Sequence, residues 1–290
     1  MRLGNFVLKK SINILDQKDY LARIDRQICP LIKGRGFKIT NNQIPYDIID
    51  KFPEIQDNFP VFYRLMKKYP VRLLFYDLLK NKSSCAFKDL IHYSSTNSVI
   101  RFLEQMQSLQ IIQHWDESKV QLTQSAYGLK SGWLFEWFIA SLLYQEFNAV
   151  AIFNVGIGGT NIGGDYDVLA NWLGRFLYLE LKCSPPKGIH YPQIRAYLQR
   201  VSTLKPDITI FINDTHLRVK DKIVLMFEEE LIKLNGIETL KTAPVERIEE
   251  QIFHVHHYIY ILNTKRSIQK NLKTVFHDYL RNDLPLIKLF

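Results

Sequence analysis

GDYDVLANWLGRFLYLELK, residues 164–182, predicts two β-strands joined by a tight Leu-Gly turn. A two-residue loop of this kind places Trp172 opposite Arg175 on the neighbouring antiparallel strand. Continuing the same register along the hairpin, Asp167 falls opposite Glu180. This hairpin is the expected centre of an α/β domain with a mixed sheet.

Side chains alternate across a strand, so the hairpin is expected to have one charged face and one apolar face. The charged face is predicted to carry Asp165, Asp167, Glu180 and Lys182. The apolar face is predicted to carry Tyr166, Val168, Ala170, Leu177, Leu179 and Leu181. Directly opposed carboxylates, about 4.5–5.5 Å apart at Cβ, repel one another unless a cation lies between them.

Asp167 and Glu180 are therefore candidate metal ligands. Carboxylate oxygens completed by water suit Mg²⁺ or Mn²⁺. Such an ion can polarise a phosphoryl oxygen and lower the pKa of a water molecule. Lys182, on the same face as Glu180, is placed to orient that water or to stabilise charge on a phosphate. The arrangement suits phosphodiester hydrolysis.

Asp167 followed by Glu180-Leu181-Lys182 resembles the D…(D/E)xK signature of the PD-(D/E)XK nuclease superfamily. The resemblance implies a restriction-endonuclease-like fold in which Asp167 and Glu180 bind Mg²⁺ or Mn²⁺ and Lys182 assists the attacking water. Tyr166 stands where the superfamily often has proline, at a position that does not coordinate metal. Asp165 is additional, and its expected partner is either a second ion or the ammonium of Lys182.

Two further matches extend the resemblance to about residues 132–282. Glu136, the only charged residue of its helical stretch, matches a glutamate on the helix before the sheet and is expected to help hold the metal directly or through water. A structural buried acid is the alternative, although an unpaired carboxylate among aromatic side chains is costly. Gln193 and Tyr197 match the QxxxY helix of RecB-type nucleases, and packing and capping explain them equally well.

The spacing of these motifs is also similar to the nuclease domains of CRISPR-associated effectors that respond to cyclic oligonucleotides. Those effectors place a nucleotide-sensing Rossmann-like domain upstream. Residues 1–69 are too short for such a domain, so the resemblance does not imply activation by such a ligand. We assign this mixed helical segment no function.

Residues 70–128 have the element order of a winged helix-turn-helix module. Helices are predicted at 71–79, 87–91 and 96–109, followed by a hairpin of two strands at 111–115 and 119–123. The third helix is then expected to present three side chains to nucleic acid: Asn97, Ser98 and Arg101. Modules of this kind often dock proteins or dimerise instead, and this alternative has nearly equal weight.

Residues 129–290 are predicted to form the restriction-endonuclease-like α/β domain, a mixed sheet flanked by helices. Strands are expected at 149–155, 165–172, 175–182, 208–212 and 258–262. Helices are expected at 132–144, 191–202, 219–234 and 267–280. The region of the helix from residue 191 is basic, which suits phosphate contact, although a solvated charged face is nearly as good an explanation of Lys187, Arg195 and Arg200.

Composition narrows the functional classes. Lys and Arg number 38 against 29 Asp and Glu, a net charge of +9 that suits a polyanionic partner without requiring one. A hydrophobic fraction of 47% supports packed cores, and no window approaches the roughly 18 apolar residues of a membrane span. Because the N-terminus lacks a secretory-signal pattern, we expect a cytoplasmic protein without membrane contact. The 3 cysteines are too scattered for a disulfide framework or a thiolate zinc site.

These observations predict a metal-dependent nuclease, with DNA favoured over RNA as substrate because winged helices most often bind duplex DNA. A homodimer fits the need for two centres to cut two strands, and the winged helix offers a surface for a partner protein. A catalytically silent nucleic-acid-binding regulator is one alternative. Another is a subunit of a larger DNA-processing complex for CRISPR defence, transposition or restriction, since heteromeric transposases combine similar modules in the reverse order.

Overall fold

The computed structural model describes residues 14–80, 84–91, 94–126, 129–159, 164–236, 238 and 243–283. It has a mixed α/β fold with a large mixed sheet flanked by helices, and a second, small sheet. The helices are α1 (Ile14–Gln27), α2 (Cys29–Lys33), α3 (Ile48–Lys51), α4 (Phe59–Met66), α5 (Tyr69–Lys80), α6 (Phe87–Leu90), α7 (Thr96–Ser108), α8 (Ser131–Phe147), α9 (Tyr191–Leu204), α10 (Leu225–Asn235) and α11 (Ile268–Asp283). The strands are β1 (Lys38–Gln43), β2 (Ser84–Cys85), β3 (Ile112–Trp115), β4 (Val120–Leu122), β5 (Val150–Gly158), β6 (Tyr166–Trp172), β7 (Arg175–Lys182), β8 (Ile208–Asn213), β9 (Glu246–Glu249), β10 (Ile252–Val255) and β11 (Ile259–Asn263).

The large sheet has the strand order β1-β5-β6-β7-β8-β11-β10-β9. Strands β7, β8 and β11 run parallel, and the other neighbours are antiparallel. The β6–β7 hairpin has the predicted register, with Trp172 opposite Arg175. Because β7, β8 and β11 are parallel, their carboxyl ends lie at the same edge of the sheet, where α/β proteins commonly bind ligands.

Two hydrophobic cores cover the two faces of this sheet. Helix α8 is apolar on all sides and lies in the first core, where Leu177 and Leu179 of β7 also pack. Helices α1, α9 and α10 pack in the second core with Phe176 and Tyr178, the alternate residues of β7. The large unit is therefore a sheet between two helical layers.

Residues 14–69 belong to this large unit. Strand β1 pairs with β5 at the edge of the sheet. The Tyr20 hydroxyl of α1 donates to the carbonyl oxygen of Ala151 at 2.6 Å and accepts from the amide of Ala151 at 2.9 Å. The sequence predicts no strand in this segment, because none of the side chains of β1 is buried and the strand lacks a hydrophobic alternation.

Helices α5, α6 and α7 with strands β2, β3 and β4 form a smaller unit over residues 69–122, called the small unit below. The three helices and the β3–β4 hairpin lie where the sequence predicts them. Ser95 caps α7 by accepting the amide of Ser98 at 3.3 Å, which fixes where that helix begins. Strand β2, which the sequence does not predict, pairs with β4.

Two further elements differ from expectation in the large unit. Strands β9 and β10 form an unpredicted antiparallel hairpin that extends the sheet beyond β11. The helix expected at 219–234 begins as a π-helical turn at Lys220–Val224 before α10. None of the described helices combines the length and apolar character that crossing a bilayer requires.

Candidate active site

Acidic side chains from α8, β6 and the approach to β6 meet at one edge of the large sheet. A cavity of about 640 Å³ opens there, and Glu136, Asp165 and Asp167 line it. Glu180 and Lys182 are among the last three residues of β7 beside it, close enough for their charges to act on both Glu136 and Asp167. The structure thus brings together the acids that the sequence singles out.

Glu180 is the most enclosed of these acids, with 2% of its side chain exposed. The Lys182 ammonium donates to its Oε1 at 2.6 Å. The Tyr178 hydroxyl donates to its Oε2, and the Arg200 guanidinium bonds the same oxygen at 3.2 Å. Two cations and a phenol therefore compensate the Glu180 carboxylate within the chain.

Asp167 lies against the backbone of β7, because its Oδ2 accepts the amide of Leu181 at 2.7 Å. Burial raises the pKa of Asp167 well above its usual range, and the nearby charges of Glu180 and Glu136 raise it further. The hydrogen bond from Leu181 opposes this shift without cancelling it. Asp167 is thus a carboxyl group whose negative charge lacks full compensation.

The prediction that Tyr166 shares a face of the hairpin with Val168 is wrong. Val168 packs in the first core as expected, but Tyr166 packs in the second, where its ring meets Tyr178 edge-on at 5.2 Å. Regular alternation ends at this point, because the paired register of β6 and β7 runs only to Val168 and Leu179. Beyond it, the carboxylate of Asp167 accepts the amide of Leu181. This irregularity lets Asp167 line the same cavity as Glu136.

Glu136 projects from α8 into the cavity. Burial raises its pKa to about 7, and the charges of Glu180 and Asp165 add to the shift while Lys182 opposes it. A structural acid paired with a lysine or backbone amides, the alternative interpretation, has some of its expected partners: the charge of Lys182 and a backbone hydrogen bond with Asn154 both lower the pKa of Glu136, but they do not offset burial, and the Lys182 ammonium bonds Glu180. Glu136 is thus poised to exchange a proton near neutral pH.

Lys182 is held as an ammonium. Burial lowers its pKa, but the negative charges of Glu180 and Asp167 outweigh burial and the pKa is raised overall. The sequence suggested Asp165 as a partner of Lys182, but Asp165 is exposed at the cavity and the Lys182 ammonium bonds Glu180 instead. Lys182 is accordingly a proton donor to hydrogen bonds rather than a base.

The rim of the cavity also contains residues that no sequence pattern identifies as candidates. Lys51 of α3 and Lys130, just before α8, add cations to the rim. Trp133 is half-buried there, with its indole N–H donating to Gln43 of β1 and its ring edge-on to Phe153 at 5.3 Å. These residues come from three distant segments, so only the tertiary structure brings them to the acids.

The donor chemistry at this edge fits a hard divalent cation. Three carboxylates are crowded, and the pKa values of Asp167 and Glu136 are raised partly because each repels the negative charge of its neighbours. Across the described ranges, no group of three or more His, Cys, Asp or Glu side chains has the arrangement of a ready metal site. A cation would lower the raised pKa values of Asp167 and Glu136 and so make both of them ligands, whereas Glu180 first has to exchange its bonds to Lys182 and Arg200.

The two residues of the QxxxY match have structural contacts. Gln193 caps α9 by accepting the amide of His190 at 2.9 Å. Tyr197 is fully buried, and its hydroxyl bonds the hydroxyl of Thr209 at 2.7 Å. Of the two interpretations that the sequence left open, the structure therefore provides capping and packing contacts for this pair.

The three basic residues expected to contact phosphates near α9 differ in placement. Lys187 is exposed, and Arg195 binds Glu230 through two hydrogen bonds at 2.8 and 3.1 Å. Arg200 is 13% exposed and lies on Glu180 rather than on an outer face of α9. Gly164 makes room for it, since a Cβ there would stand 2.5 Å from the guanidinium. Arg200 is therefore a partner of the acidic site, and its expected contact with phosphate stays a prediction.

Asn97, Ser98 and Arg101 are exposed on α7, and none of them lines the acidic cavity. Tyr178 is a further residue of the site that was not identified from the sequence. It lies two positions before Glu180, on the same strand face, so alternation alone could have identified it.

No protein-family model matches the chain, and no curated protein matches it. Among solved structures, protein VC1899 from Vibrio cholerae is similar over 88% of this chain and 61% of its own, with 11% identity and a TM-score of 0.49. Can2 from Sulfobacillus thermosulfidooxidans, in complex with cyclic tetra-adenylate, is similar over 64% of this chain and 50% of its own, with 14% identity and a TM-score of 0.37. The chain thus spans less than two thirds of either matched structure, and TM-scores below 0.5 support no functional conclusion.

Proposed function

We propose that this protein is a divalent-cation-dependent phosphodiesterase that hydrolyses nucleic acid, with DNA as the first candidate substrate. The observation that carries the proposal is the crowding of Glu136, Asp167 and Glu180 beside the Lys182 ammonium, with the pKa values of the first two raised. Lys182 and Arg200 bond Glu180, so the charges of Asp167 and Glu136 are less well compensated, which suits a site that takes up a catalytic cation.

Asp167, Glu180 and Glu136 are the residues proposed to hold Mg²⁺ or Mn²⁺. When bound, the cation supplies Lewis-acid polarisation of a phosphoryl oxygen. Lys182 donates hydrogen bonds to the attacking water or to the phosphate, which stabilises the charge that develops on the phosphate oxygens. The water oxygen bonds to phosphorus as the P–O bond to the leaving oxygen breaks. The proton that the water loses passes to Glu136, which in this role holds the cation only through water, and the leaving oxygen takes up a proton from solvent.

Cations at the rim supply the electrostatic attraction for a polyanionic strand. Lys51 and Lys130 flank the cavity, and phosphates on either side of the scissile bond are their proposed partners. Asn97, Ser98 and Arg101 on the exposed face of α7 are a proposed second contact for nucleic acid or for a partner protein.

A cleavage assay on end-labelled single-stranded DNA, duplex DNA, supercoiled plasmid and RNA tests the proposal. We expect cleavage with Mg²⁺ or Mn²⁺ and none with EDTA. Glu180→Gln and Lys182→Ala should each lower the rate by about 100-fold or more. Glu246→Gln, an acid with 62% exposure away from the site, is the matched control and should leave the rate unchanged. Equal rates for Glu180→Gln and the control would refute the assignment.

One observation favours a second candidate, a catalytically silent nucleic-acid-binding protein. Glu180 is already compensated by Lys182 and Arg200, as expected of a site that no longer takes up a cation. This candidate predicts nucleic-acid binding that neither Mn²⁺ nor Glu180→Gln alters, together with no cleavage of any substrate.

A further inference from the structure

A second cavity, of about 560 Å³, lies where the small unit meets the carboxyl ends of β7 and β8. On one side, Tyr69, Leu73 and Tyr76 of α5 line it. On the other side, Cys183 follows β7, and His216 and Leu217 follow β8. Carboxyl ends of parallel strands are the usual ligand edge of an α/β sheet, and cavities of about 300–1,000 Å³ suit one small-molecule group.

The lining of this cavity suits a flat heteroaromatic ring. Tyr69 and His216 stack on each other with ring centroids 3.9 Å apart and planes at 23°, which leaves one outer face of this pair for a further flat ring. Burial lowers the pKa of His216, which favours its neutral ring. Leucine side chains widen the apolar wall, and Ser131 and Ser184 supply hydroxyl groups that can bond the edge of a base.

The cavity adjoins the candidate active site through two chain connections. Cys183 and Ser184 directly follow Lys182 of the acidic site. Ser131 lines this cavity while the next residue, Gly132, lines the acidic cavity. Consecutive residues at Ser131–Gly132 thus line the two cavities, and Cys183 and Ser184 connect the second cavity directly to the end of β7.

We propose that this cavity binds one nucleobase of the substrate strand beside the scissile phosphate, an assignment that rests on hydrolysis at Glu180 and Lys182. A base can enter such a cavity only when it is neither stacked nor paired with its neighbours. The substrate is therefore a single strand, or a duplex from which one nucleotide has been extruded. Ribose and deoxyribose strands share this chemistry, and the test below separates them.

Single-stranded DNA and RNA oligonucleotides with 2-aminopurine at successive positions provide the test, with EDTA present so that no strand is cut. We expect the fluorescence to fall on binding at one position, where the base stacks on the outer face of the Tyr69–His216 pair. His216→Ala should weaken binding about 5- to 50-fold and abolish that local change. Ser184→Trp, which fills the cavity from its rim, should do the same, whereas His277→Ala, an exposed histidine of α11, should have no effect.

Fluorescence that is the same at every position, or a local change that survives both His216→Ala and Ser184→Trp, would overturn the base pocket. Thermal melting of each variant shows whether the fold is retained. If strands are cleaved with Mg²⁺ but give no local change, the base pocket alone fails. If they give the local change but are never cleaved, the proposed hydrolysis fails while base binding stands.

Discussion

Two kinds of partner compete for the carboxylate of Glu180. Lys182 and Arg200 bond its oxygens in this structure, and a divalent cation needs the same oxygens. Lys182 extends from the same strand, so it can remain nearby when its hydrogen bond is exchanged. Arg200 comes from α9, and its contacts to Oε2 at 3.2 Å and Oε1 at 3.5 Å are longer than the 2.6 Å bond from Lys182, so it is the partner that a cation displaces most readily.

Removing Arg200 should therefore strengthen binding of the cation. Arg200→Ala deletes one competitor for Glu180 and one repelling charge, and we expect the Kd for Mn²⁺ to fall about tenfold, the equivalent of one charge-assisted hydrogen bond. Calorimetric titration with Mn²⁺ measures this change. Arg195→Ala on the same helix, where the arginine binds Glu230, is the matched control. Weaker Mn²⁺ binding in Arg200→Ala would show that Arg200 supports the metal site.

At the residue scale, the turn length and the alternation of one hairpin suffice to identify Asp167, Glu180 and Lys182 as candidates. The paired register ends at Val168 and Leu179, so where these three side chains lie depends on the irregular end of the hairpin. Arg200 could not be placed this way, because its position on Glu180 depends on how α9 packs against the sheet. The candidate acids can thus be named from a local stretch of sequence, whereas the side chains that compensate their charge are brought to them by the tertiary structure.

The β6–β7 hairpin is the element that positions the site. Its turn places Leu173 at φ 52° and Gly174 at φ 81°. Glycine adopts such angles freely, but leucine does not, and asparagine is the residue that a type I′ turn prefers there. Because 73% of Leu173 is exposed, replacing it costs little buried apolar surface.

Leu173→Asn should therefore stabilise the protein by about 0.5–1 kcal/mol, a rise of about 1–4 °C in Tm for a chain of this size. Differential scanning calorimetry measures the change. Leu234→Asn in α10, where the leucine is 51% exposed in a helix, is the control and should not raise Tm. A lower Tm for Leu173→Asn would mean that the leucine contributes contacts that outweigh the backbone preference.

The helices and strands that could be predicted are those with a strong hydrophobic pattern in the sequence. Strands β5 to β8 and helices α8 and α9 have strong patterns, and they lie close to their predicted positions. Strand β1 has none, since it is an edge strand with polar, partly exposed side chains. Its pairing with β5 is specified by contacts with distant residues, which a local pattern does not contain.

At the scale of the whole molecule, one buried ion pair joins the small unit to the large sheet. Arg72 of α5 bonds both oxygens of Asp214 at 2.7 and 2.8 Å, and 1% of the arginine side chain is exposed. Tyr76 and Thr264 donate to the same carboxylate at 2.9 and 2.8 Å. This network fixes α5 to the carboxyl ends of β8 and β11, beside the second cavity.

Arg72→Ala should destabilise the protein by about 3–5 kcal/mol, because it leaves the Asp214 carboxylate buried without its cation. Urea unfolding followed by circular dichroism measures the loss. Arg266→Ala removes an exposed pair with Glu249, at 36% and 38% side-chain exposure, and should cost at most about 1 kcal/mol. If the two variants lose equal stability, the buried pair does not join the units.

The sequence predicted three consecutive segments, whereas the packing groups the chain differently. Residues 14–69 and the residues after α7 and its hairpin build one sheet, and the small unit packs against it. This grouping depends on the β1–β5 pairing and on the contact between Arg72 and Asp214, both of which join residues more than 100 positions apart. Sequence patterns act over about ten residues, so they identify the units but not how the units combine.

Crystals soaked in Mn²⁺ and measured at its absorption edge test the central claim most directly. The account predicts an anomalous peak between Asp167 and Glu180, within reach of Glu136, with Arg200 displaced from Glu180. An absence of any peak there, with Lys182 and Arg200 still bonded to Glu180, would contradict it.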